Sequence, residues 1–99
     1  MAVSTEQVLA ALATVVDPEM GINIVDLGLI YGVKVEPGQI SVNLTLTTPR
    51  CPLARMIAAE TQQAVKQVAG PDDRVEVALV WDPPWTPDRM SDEARSQFG

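Results

Sequence analysis

Cys51 is the only cysteine in the chain, set in the run LTTPRCPLARM at residues 46–56. There a strand-like pattern gives way to a helix-like one. Pro52 suits a first helical position, which would make Cys51 the N-cap. Pro49 offers a rival start with Thr48 as cap, which would put Cys51 in the first turn. In both cases the thiol lies near unpaired backbone N–H groups, with Arg50 and Arg55 close in sequence. Both effects favour thiolate, the form that binds soft metals or attacks disulfides. The alternative is a small buried residue with no chemistry. A second set of groups lies in DPEMGINIVDLG, residues 17–28, where Asp17, Glu19 and Asp26 could supply oxygen ligands or simply stop a helix and hold a turn. A third lies in VWDPPWTPDRM. Trp81 fits the buried face of a strand. Trp85, among prolines, is expected as a lid on the core, with an exposed binding anchor as the other reading.

Composition removes several chemistries. There is no histidine, so the commonest general base, the His triads and a Cys–His pair are excluded. One cysteine excludes an intrachain disulfide and any zinc motif built on two or more Cys or His ligands of one chain. The net charge of −6 and the scattered basic residues argue against nucleic acid and anionic membrane as partners. The opening MAVSTEQV has neither a basic start nor a long apolar run, so the expectation is a cytoplasmic protein without a signal peptide or membrane span. With 99 residues, one domain over 1–99 is expected, large enough to fold without a metal or disulfide.

The elements that must position these groups follow from periodicity. VSTEQVLAALATVV predicts a helix with Ser4 as cap, Gln7 completing a capping box, and Val8, Leu9, Leu12, Val15 and Val16 on one face. Pro18 is expected to end it. Residues 17–28 predict an ordered loop. LIYGVKV predicts a strand with Leu29, Tyr31, Val33 and Val35 on one face, and Pro37-Gly38 a turn. ISVNLTLT predicts its partner, with Ile40, Val42, Leu44 and Leu46 inward and Ser41, Asn43, Thr45 and Thr47 outward. Residues 52–69 predict a helix whose inner stripe is Leu53, Met56, Ile57, Ala64, Val65 and Val68, stopped by Gly70-Pro71. RVEVALVW predicts a third strand with Val75, Val77, Leu79 and Trp81 on one face; SDEARSQF predicts a last short helix. The sum is an α+β fold in two layers, helix–β-hairpin–helix–strand. Both helices lie on one face of a small mixed sheet, and the C-terminal Pro/Trp segment is irregular.

Taken together, VVDPEMGINIVDLGLIYGV, LTLTTPRCPL and VWDPPWTPDRMS resemble the small iron–sulfur cluster assembly domain, over about residues 6–95. That domain occurs as a stand-alone maturation factor and as the N-terminal part of Mrp-type P-loop ATPases. The resemblance implies an α+β fold and a role in maturing iron–sulfur proteins. It places the family's reactive cysteine on Cys51 in TPRCP, its Asp-Pro-Glu on Asp17, Pro18 and Glu19, its Asp-Leu-Gly on Asp26, Leu27 and Gly28, and its Trp-Pro tail on Trp81–Met90. No GxxxxGK[ST] run is present, which argues against nucleotide binding of the P-loop kind. A relative serving phenylacetyl-CoA oxygenase carries a Cys-rich tail that this sequence does not have.

The function expected is therefore a non-enzymatic assembly factor. Cys51 would hold iron or an iron–sulfur cluster transiently, with Asp17, Glu19 or Asp26 as weaker oxygen ligands. Thr48, Pro49, Pro52 and Trp85 complete the functional motif. A cluster takes about four protein ligands, so client apoproteins, other assembly proteins or a second copy in a homodimer must supply the rest. Other readings are an adaptor that touches no metal, a thiol redox sensor or enzyme, and an accessory protein of phenylacetyl-CoA oxygenase.

Overall fold

The computed structural model describes residues 3–47 and 52–98. Helix α1 spans Thr5–Leu12, and its start is the expected capping box. Gln7 N–H donates to Ser4 Oγ at 3.1 Å, and Ser4 N–H donates to Gln7 Oε1 at 2.8 Å. Helix α1 ends four residues before the end expected from Pro18. Thr14, Val15 and Val16 are β-branched and take extended or turn conformations more readily. Val16–Asp17, strand β1, pairs antiparallel with Ile22–Asn23, strand β2, so the expected loop opens with a small hairpin. Val15 is buried, but Val16 is 47% exposed and does not extend the helix face.

Strands β3 (Ile30–Glu36), β4 (Gln39–Leu44) and β5 (Arg74–Leu79) form a mixed sheet in the order β3-β4-β5. β3 and β4 are antiparallel across the Pro37-Gly38 turn, where Gly38 takes the positive φ of 78° that a type II turn requires. β4 and β5 are parallel. They are joined by helix α2 (Ala54–Lys66), as a parallel connection demands. α1 packs on α2 and β3, and α2 on β5. Val8, Leu12, Ile57 and Val65 share one core with Ile40, Val42 and Leu44, so the two-layer α+β arrangement is as expected. A 3-10 turn (Pro87–Arg89) and helix α3 (Asp92–Phe98) close the described chain.

Five details differ from simple periodicity. A register shift between Ile30 and Gly32 re-phases β3, so Ile30, Val33 and Val35 stand opposite Leu44, Val42 and Ile40. A bulge of this kind breaks the strict alternation that put Tyr31 inward. Thr45 is buried rather than outward, because β4 ends at Leu44 and the chain changes phase. α2 begins at Ala54 with Leu53 as N-cap, so Pro52 lies in the preceding turn and is not the first helical residue. Its buried stripe is Ile57, Thr61 and Val65, while Met56 and Val68 are exposed. Finally, β5 stops at Leu79, and Trp81 beyond it is 39% exposed.

Candidate functional site

A chain of backbone hydrogen bonds ties the 17–28 segment to the exit of β4. Ile24 N–H donates to Val15 C=O (2.9 Å), Leu29 N–H to Ile24 C=O (3.0 Å), and Thr45 N–H to Leu29 C=O (2.8 Å). This series ties the end of α1, the 17–28 segment, the start of β3 and the exit of β4 into one frame. Ile24, Leu27, Leu29 and Leu46 are wholly or almost wholly buried within it. Each removes apolar surface worth roughly 1.5–3 kcal/mol, which holds a segment with little regular structure in one shape. Past Leu46 the chain runs toward Thr48, Pro49 and Cys51. Those three residues, and Arg50 between them, lie outside the described residues.

Asp17 is 3% exposed, and its Oδ1 accepts the Glu19 N–H at 2.9 Å. Its own C=O accepts from Met20 and Gly21, closing the β1–β2 turn. These bonds make Asp17 the organiser of the DPEMG turn. Asp26 does similar local work, as its Oδ2 accepts from Asn23 Nδ2 at 2.9 Å. Asn23 Oδ1 in turn accepts the N–H groups of Val25 and Asp26. Among the described residues, no group of three or more His, Cys, Asp or Glu is placed to hold a metal ion. Asp17, Glu19 and Asp26 thus form no ready-made cage by themselves.

The Pro/Trp tail is a strap across the Asp-Leu-Gly segment. Trp85 Nε1–H donates to Leu27 C=O at 2.6 Å, and Ser91 N–H donates to Asp26 C=O at 2.7 Å. Trp85 packs on the core as a lid. Gly28 has φ +78°, and a Cβ there would lie 2.6 Å from the Arg89 carbonyl carbon, so the tail needs glycine at this point. On the sheet side, Tyr31 OH donates to Pro83 C=O at 2.8 Å, and the Arg89 guanidinium carbon lies 4.6 Å from the Tyr31 ring centroid. Asn23, Tyr31 and Arg89 did not stand out in the sequence. Tyr31 is expected there only as an inward strand residue, and the bulge that turns it toward the tail is a tertiary feature.

Thr45 is 1% exposed, and its Oγ1 has no hydrogen-bond partner among the described residues. A buried unpaired hydroxyl is uncommon in a settled core. It sits at the exit of β4, six positions before Cys51 in sequence.

The arrangement matches known proteins closely. The model of the iron–sulfur cluster assembly protein family matches residues 5–78. The Fe-S protein maturation auxiliary factor YitW of Bacillus subtilis is 44% identical over 95 residues, covering 95% of this chain and 92% of that protein. An iron–sulfur cluster carrier protein of Synechocystis is 38% identical over 91 residues, which are 89% of this chain but 26% of that longer protein. The solved structure of a conserved hypothetical protein from Thermotoga maritima superposes with a TM-score of 0.83 at 46% identity, covering 98% of this chain and 95% of that one. With the family model spanning most of its length and YitW, at 44% identity, covered nearly end to end, the chain belongs to the iron–sulfur cluster assembly protein family.

Proposed function

We propose that this protein is an auxiliary factor in the maturation of iron–sulfur proteins, acting by transient handling of its cargo rather than by catalysis. The cargo is iron or an iron–sulfur cluster, and Cys51 is the thiolate that takes it up. The observation that carries this reading is the frame running from Val15 through Ile24 and Leu29 to Thr45. It anchors Thr45, where the chain leaves β4 toward Cys51, to a rigid sheet end, and the tail is pinned to the same frame at Leu27 and Asp26. Such an arrangement suits a short reactive loop on a fixed base. The names of the maturation-factor and cluster-carrier relatives support the same role.

One thiolate leaves most cluster ligand positions to others. A second copy of the chain contributes a second Cys51, and the client or another assembly protein contributes the remainder. The setting is the cytoplasm; no helix among the described residues is long and apolar enough to cross a membrane. The test uses a strain lacking the gene and the activity of an iron–sulfur enzyme that depends on it. Wild-type protein should restore that activity; Cys51→Ser should not, at equal abundance and equal Tm. Purified wild type, but not Cys51→Ser, should gain charge-transfer absorbance after iron and sulfide are added. Full restoration by Cys51→Ser would return the thiol to a packing role and favour the adaptor reading.

A further inference from the structure

β5 is a terminal strand of its sheet. Arg74 N–H donates to Gly38 C=O and Val80 N–H to Leu44 C=O. Even-numbered residues of β5 therefore turn their backbone groups toward β4, and Val75, Val77 and Leu79 turn theirs outward. Gln62 Nε2 donates to Val75 C=O at 3.1 Å. Among the described residues, the outward N–H and C=O groups of Val77 and Leu79 have no hydrogen-bond partner. The opposite edge is treated differently: the tail is fastened to β3 at Tyr31, where β3 also shifts register.

A groove of about 300 Å³ runs along the β5 edge, lined by Arg55, Ala58, Ala59, Gln62, Val77 and Leu79. α2 joins two parallel strands, so it runs back against β5. Gln62 marks the Val75 end of the groove. Arg55 lies about 10 Å nearer the start of the helix, and Leu79 lies about 13 Å beyond Val75 along the strand. Both therefore line the other end. Ala58 and Ala59, between Arg55 and Gln62, are small and keep the middle of the groove open and apolar. Arg55 stands in the first turn of α2, where the helix dipole disfavours a cation and no acidic residue balances it. Among the described residues its guanidinium has no ion pair and no hydrogen bond. In a chain of net charge −6, Arg55 is an uncompensated positive charge at the mouth of an apolar groove.

We propose that the β5 edge and this groove dock an extended segment of a client protein, which adds to the sheet as a further strand. Its backbone pairs with the outward groups of Val77 and Leu79, one apolar side chain enters the groove beside Val77, and a carboxylate two positions away pairs with Arg55. The inference rests on the maturation reading above and names the surface that holds the client. Residues two apart on a strand share a face and repeat at about 6.6 Å, the same step as Val77 to Leu79. An apolar residue beside Val77 thus sets the carboxylate beside Leu79, at the Arg55 end, whichever way the added strand runs. The charge pattern favours one acid over a run of them. The net negative charge repels a strongly acidic segment, and Glu76, on the other face of β5, repels an acid at the intervening position. Leu79 stands opposite Leu44, the last residue of β4. A client strand held here reaches the end of the sheet from which the chain leaves toward Cys51.

Random linear peptides displayed on phage, panned against the metal-free full chain carrying Cys51→Ser so that no thiol chemistry contributes, test this directly. Enriched peptides should carry an apolar and an acidic residue two positions apart, and should slow amide exchange at Val77 and Leu79. Leu79→Glu, at a site 37% exposed, puts a like charge where the carboxylate docks and should raise their dissociation constant at least about tenfold. Arg55→Glu should raise it about fivefold, although this change suits the helix dipole and should leave Tm equal or higher. Replacing the peptide's acid by Lys should restore binding to Arg55→Glu. Ala59→Arg fills the groove and stands in for Leu79→Glu should that variant fail to fold. No enriched peptide, enriched peptides without the pattern, or affinity indifferent to either folded variant overturns the proposal. In the strain lacking the gene, Leu79→Glu with Cys51 intact should lower client activity several-fold, while the purified variant takes up iron and sulfide as wild type does. Full client activity with Leu79→Glu but none with Cys51→Ser sinks the docking site and leaves the maturation reading standing. Full activity with Cys51→Ser sinks that reading, and the peptides alone then decide the groove.

Discussion

Gly28→Ala is the substitution for which the geometry gives the sharpest expectation. Two costs add at this position. The first is conformational: φ is +78°, and an L-residue held in the left-handed region costs about 1–2 kcal/mol. The second is steric: a Cβ would stand 2.6 Å from the Arg89 carbonyl carbon and 2.8 Å from Arg89 Cβ, with the Arg89 carbonyl oxygen nearer still. Backbone cannot yield as a side-chain tip can, so the tail must lift. Lifting it breaks the bonds from Ser91 to Asp26 and from Trp85 to Leu27, at about 1 kcal/mol each. It also uncovers part of the Trp85 ring. The total is about 3–6 kcal/mol. Gly38→Ala is the internal control, because φ is also +78° but nothing lies within 4 Å of the added carbon. It should cost about 1–2 kcal/mol. Urea unfolding followed by circular dichroism gives both values, and tryptophan fluorescence reports whether the tail leaves first. If Gly28→Ala costs no more than Gly38→Ala, the tail does not bear on Gly28 and the strap is wrong.

Three further outcomes follow from named contacts. Trp85→Phe keeps most of the ring but loses the bond to Leu27; a loss of about 1–2 kcal/mol is expected, read by urea unfolding, together with faster amide exchange at Ser91. Thr45→Val removes a buried hydroxyl that has no partner among the described residues, so Tm should hold or rise. A fall of more than about 1 kcal/mol would reveal a bound water or partner at Oγ1. Ser4→Ala breaks both halves of the capping box and should cost about 1 kcal/mol, whereas Thr5→Ala, one residue into the helix, should cost little.

The sequence by itself determined the α+β class, the order of elements, the Ser4–Gln7 cap and the Pro37-Gly38 turn. Each is written in neighbouring residues, where capping chemistry, proline dihedrals and apolar spacing act locally. It also carried the family, because three motifs in order are specific even without coordinates. The tertiary structure decided what those motifs do for one another. Asp-Leu-Gly is a docking strip for the tail, since Gly28 must lack a Cβ where Arg89 crosses it, 61 positions later in sequence. Tyr31 turns toward Pro83 only because β3 slips register, and Thr45 is buried only because β4 ends one residue earlier. Periodicity assumes an unbroken strand, so it could foresee neither. The sequence reads Trp81 as the buried end of a strand and Trp85, after Pro84, as a lid on the core. One is exposed and the other capped by a carbonyl, because burial is set by which distant backbone group is within reach of the indole N–H, and spacing along the chain does not encode that distance.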